Sequence, residues 1–71
     1  MEYDFYKLYL AIEHTYVDKI ICQSLDQVEY ELNNAVGYDE YLVIGHNIAL
    51  NMDYPVAHGD IELNRTRIRK K

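Results

Sequence analysis

The stretch SLDQVEYELNNAVG (24–37) decides the fold, because its period and its end signals both specify a helix. Ser24 is a good N-cap, and Gln27, three residues on, completes a capping-box pattern. Asp26 falls in the first turn, where the helix dipole favours a negative charge. Leu25, Val28, Leu32, Ala35 and Val36 form one apolar stripe, suited to packing on a sheet. Glu29 and Asn33 point away from that stripe, with Asp26 and Tyr30 near them. Gly37 is a natural stop, so the spacing predicts a helix over 24–36.

Strand signals flank this helix. FYKLYLAIEHTYV (5–17) alternates, with Tyr6, Leu8, Leu10 and Ile12 on one face and Lys7, Tyr9, Ala11 and Glu13 on the other. Phe5, Leu8, Tyr9 and Ile12 also fit a helical period. The aromatic and β-branched content through Thr15, Tyr16 and Val17 favours a strand. Asp18-Lys19 reads as a turn and KIIC (19–22) as a second strand. Beyond the helix, 41–44 is a short apolar run that Gly45-His46-Asn47 interrupts as a hairpin loop or bulge. Ile48, Leu50 and Met52 then alternate with polar or small residues as a half-buried strand, which Asp53-Tyr54-Pro55 ends. HGD (58–60) reads as another turn, and IELNRTRIR (61–69) as a last strand with Ile61 and Leu63 inward.

The expected fold is α+β: a small, mainly antiparallel sheet of about four to five strands, ordered ββαβββ, with one helix on one face. Residues 1–71 form a single domain with a basic end at 65–71. The uncovered sheet face, including Lys7, Tyr9, Glu13 and Thr15, either stays wet or forms a dimer. A core this small is marginal, and chains of about this length commonly draw on disulfides, metals or oligomerisation. The single cysteine, Cys22, excludes an internal disulfide, which leaves a homodimer or a docked partner as the expectation. No segment reads as an export signal or membrane span, so a cytoplasmic location is expected, within a bacterial host cell if the chain is phage-encoded.

The charge is unevenly placed. The formal net is −5, and five of the seven bases are Arg65, Arg67, Arg69, Lys70 and Lys71. Residues 1–64 hold only Lys7 and Lys19 against all 12 acids, a formal −10. Such a body repels itself and attracts basic partners. Eight tyrosines, one phenylalanine and no tryptophan add an aromatic excess that suits both interfaces and strands.

No catalytic or cofactor pattern is present. His14, His46 and His58 lack ligand spacing, so no metal is expected. Cys22 follows Ile20-Ile21 and precedes the helix cap, a place for a buried small hydrophobe rather than an activated thiolate. Glu29/Glu31 and Asp39-Glu40 are pairs in sequence only. Gly37, Gly45 and Gly59 form no phosphate-cradling loop. The chain is therefore expected to be non-enzymatic and without cofactors.

Two surfaces remain. Asp26, Glu29, Tyr30, Glu31, Tyr38, Asp39, Glu40 and Tyr41 gather along and just after the helix, and could occupy a basic groove with carboxylates standing where phosphates would stand. A merely solvated helix face is the ordinary alternative. Arg65, Arg67, Arg69, Lys70 and Lys71 could instead touch phosphates, although the −10 body opposes nucleic acid and the tyrosines sit among acids. In size, charge and tyrosine content across the whole chain, the sequence resembles the small acidic proteins that bacteriophages and other mobile elements use to block host enzymes. Some of those are DNA mimics acting on restriction, repair or CRISPR machinery. The resemblance implies an inhibitor of a host nucleic-acid-acting protein with a basic surface. It aligns no residues and so assigns no site. The alternatives are a small dimeric nucleic-acid-binding regulator using the basic C-terminus, and a dimeric small-ligand binder.

Overall fold

The computed structural model describes residues 3–61. The element order is β1 (Phe5–Ile12), β2 (Thr15–Cys22), α1 (Leu25–Asn34), β3 (Glu40–Asn47) and β4 (Met52–Asp60). The four strands form one sheet in the order β2-β1-β3-β4, antiparallel throughout. Among the described residues one helix, α1, packs on one face, giving the expected α+β architecture. The strand expected over 61–69 lies beyond the described residues apart from Ile61, which is buried.

Alternation along the strands sets the two faces. Ile20, Leu8, Val43 and Ala57 form a row across all four strands on the helix side. Leu8, Leu10, Cys22 and Val43 from the sheet, Val28, Leu32 and Ala35 from the helical segment, and Ile61 make the core. Tyr6, Ile20, Tyr38 and Tyr41 pack against it. Burying each of the core leucines contributes about 1.5–3 kcal/mol.

The helix begins as its sequence requires. The Ser24 hydroxyl accepts the Gln27 N–H (3.2 Å), while the Gln27 side chain accepts the N–H of Gln23 at 2.8 Å. The reciprocal bond thus closes one residue before the cap, and such a cap is worth about 1 kcal/mol. The far end is shorter than 24–36. Ala35 is already extended at ψ 130°, its N–H drawn to the Leu32 carbonyl in a tightened last turn. Gly37 supplies the left-handed residue (φ 86°) two positions later. Of the expected stripe, Val28, Leu32 and Ala35 are buried, whereas Leu25 and Val36 are exposed.

Three turns differ from the sequence reading. The first reversal is at Glu13-His14, both at positive φ (50° and 68°), and Asp18-Lys19 lies inside β2. The Asp39 carboxylate accepts the Glu13 N–H at 2.7 Å, and Glu40 bonds His14 at 3.0 Å. Long-range partners thus help hold two non-glycine residues in the left-handed region, which such residues seldom occupy. Gly45-His46-Asn47 is not a turn but the end of β3; the loop is 48–51, where the Asn47 side chain accepts the Leu50 N–H and Asn51 adopts φ 53°. Of the expected half-buried strand, Ile48 and Leu50 therefore sit at an exposed loop tip, and Met52, also exposed, is the first residue of β4. Pro55 and the segment 58–60 belong to β4. Pro55 is tolerated there because β4 is the edge strand of the described sheet, with a register shift beside it between Val43 and Ile44 of its partner.

Candidate binding surface

The helix packs on β1 and β2, leaving the helix-side face of β3 and β4 partly uncovered. This offset opens a groove of about 330 Å³. Leu25, Asp26 and Glu29 form its helical wall, and Tyr41, Val43 and Ala57 its sheet side. Leu25 is half exposed because, at the first helical position, it borders this groove instead of the core. The β4 glycine makes room for Tyr41, since a Cβ at Gly59 would lie 3.0 Å from the Tyr41 hydroxyl. An apolar floor with two carboxylates at its rim can hold an aliphatic or aromatic side chain flanked by cations.

The other residues singled out in the sequence are distributed more widely. Tyr30 is strongly exposed on the helix's outer side. Glu31 is half-buried on the flank towards Cys22, where its charge adds to burial in pushing the Cys22 thiol above its ordinary value. Tyr38 packs against the core, and its hydroxyl donates to the Asp18 carboxylate of β2. That hydrogen bond is the main reason the Tyr38 phenol is held above its usual range, with burial and the Asp18 charge adding to it. Asp39 and Glu40 are engaged with the Glu13-His14 turn. Asp26, Glu29 and Tyr41 thus surround one groove, whereas Asp39 and Glu40 brace the first hairpin. Arg65, Arg67, Arg69, Lys70 and Lys71 lie outside the described residues.

A second polar constellation sits on the opposite sheet face. Asp53 of β4 bonds His46 at 2.6 Å and Lys7 at 3.2 Å, and the His46 ring stacks on Phe5 with centroids 4.8 Å apart. The hydrogen bond to His46, followed by that to Lys7, holds the Asp53 carboxyl below its ordinary value. His46 and Asp53 are a cross-strand pair, a proximity visible in sequence only once the loop is placed at 48–51. Among the described residues, no group of three or more His, Cys, Asp or Glu side chains is arranged to hold a metal ion. No helix among them is long and apolar enough to cross a membrane. The chain matches no family model, no curated protein and no solved structure.

Proposed function

We propose that this chain is a non-enzymatic binding protein that blocks a basic, nucleic-acid-acting host protein through its acidic helix side. The observation that carries this reading is the groove beside α1, where Asp26 and Glu29 rim an apolar floor containing Tyr41. Its setting is a body of formal charge −10 over residues 1–64. The body's field draws a basic partner in, and the groove accepts an apolar side chain from the same surface. Carboxylates spaced along a helix can then stand where a nucleic acid's phosphates would stand. Such an encounter is strongly weakened by salt.

Asp26 and Glu29 are exposed and make no hydrogen bond or ion pair among the described residues, so reversing them tests binding without touching the core. A tagged chain is incubated with bacterial lysate at low and high salt, with and without nuclease. The expected result is one basic protein, retained after nuclease, released by salt, and lost from Asp26→Lys/Glu29→Lys. Equal retention of that protein by the double variant overturns the assignment of the surface. An eluate that vanishes with nuclease overturns the inhibitor reading itself.

A further inference from the structure

The sheet face away from the helix has no layer of the described chain upon it. Two rows cross it: Ile21, Lys7, Ile44 and Pro55, then Lys19, Tyr9, Leu42 and His58. Tyr16 extends this surface, its ring 5.9 Å from that of Tyr9, and Tyr16 and Ile21 are about half exposed. A contiguous apolar and aromatic surface of this kind marks an interface. The two cations of residues 1–64, Lys7 and Lys19, both project from it, and Lys7 is already paired with Asp53. The acids of the helix lie on the other side of the molecule.

We propose that a second copy of this chain covers the open face, sheet against sheet, about a two-fold axis parallel to the strands. Three observations select this occupant. The molecule is a slab with extents of 39 by 28 by 15 Å, so its broad side has room for the ~800 Å² per partner that a stable dimer uses. Charge selects the face: pairing through the helix sides would set Asp26 and Glu29 against their own copies, whereas the open face carries charges of both signs. Symmetry then fits the charge pattern. An axis along the strands lays β2 of one copy over β4 of the other. Lys19 of β2 thereby comes level with His58 on β4 of the other copy, two residues from Asp60, and this arrangement occurs twice. The apolar rows meet at the centre, as in an aligned sandwich with its sheets about 10 Å apart. The acidic helices are left outward on both sides.

Sedimentation equilibrium on the full chain tests this, with circular dichroism verifying the fold of each variant. The wild type is expected at twice the 8.4 kDa chain mass. Ile44→Asp at the centre of the face is expected to be monomeric. Lys19→Glu, at an exposed edge where folding is unaffected, is expected to raise the dimer dissociation constant about tenfold. Glu29→Lys on the helix is expected to leave it unchanged. A wild type that stays monomeric up to about 1 mM overturns the proposal. So does a dimer that keeps its affinity in Lys19→Glu, or one that Glu29→Lys dissociates.

Discussion

Gly45 lies within β3 and is buried. Its missing side chain makes room for Tyr3, whose ring lies against Tyr6 and Tyr54, each at a centroid distance of 5.8 Å. A Cβ here would stand 2.6 Å from the Tyr3 Cγ, close to the rigid root of that ring. Gly45→Ala is therefore expected to cost about 1–3 kcal/mol, seen as a lower urea midpoint with an unchanged slope. Asp53 makes a prediction about pH. Its carboxyl is depressed in the fold, so its stabilising contribution is complete above the unfolded carboxyl value of about 3.9 and is lost as pH falls through the lower folded value. Asp53→Asn should melt below the wild type at pH 6, with the gap closing below about pH 4. A gap that stays constant across that range would show that the carboxylate's charge has no such role.

Among the elements, the helix was legible because its information is local. Ser24, Gln27 and the Val28–Leu32 spacing act within a few residues of one another. The strands were legible as strands, since alternation is local too. The reversals between them were not. Glu13-His14 holds positive φ with acids from Asp39 and Glu40, some 26 residues away. Asp4 likewise accepts the Ile48 N–H at the β3–β4 loop. Tertiary partners that no local pattern encodes therefore help set both of these reversals. The same cause divided the candidate surface: Asp39 and Glu40 are acids of the right type near the helix, but the first turn uses them. The hairpin gives a direct test. Replacing Glu13-His14 by Asn-Gly matches the conformation of the turn by residue type and should stabilise the fold by about 1 kcal/mol. The check is the thermal midpoint, and a fall on making that replacement would mean the lost His14–Glu40 contact outweighs the relieved backbone.

For the whole molecule, charge and topology dominate. Ten unbalanced negative charges within residues 1–64 repel one another, and this repulsion is screened beyond about 8 Å at physiological ionic strength. Raising sodium chloride from about 20 to about 500 mM is therefore expected to raise the melting temperature, since screening relieves more repulsion than it weakens the few ion pairs. A midpoint that falls with salt would show that those pairs dominate. The strand order has a consequence of another kind. β1 pairs with β2 and β3 with β4, each through a short turn, and among the described residues the only ladder joining these two hairpins is β1 against β3. The segment 35–39 between helix and β3 is the sole covalent tie across that seam. A chain cut there yields an N-terminal piece of hairpin plus helix and a C-terminal hairpin, each with its inner edge bared for the other. Such halves are suited to reassembly from separate polypeptides, which makes this small fold a natural split reporter.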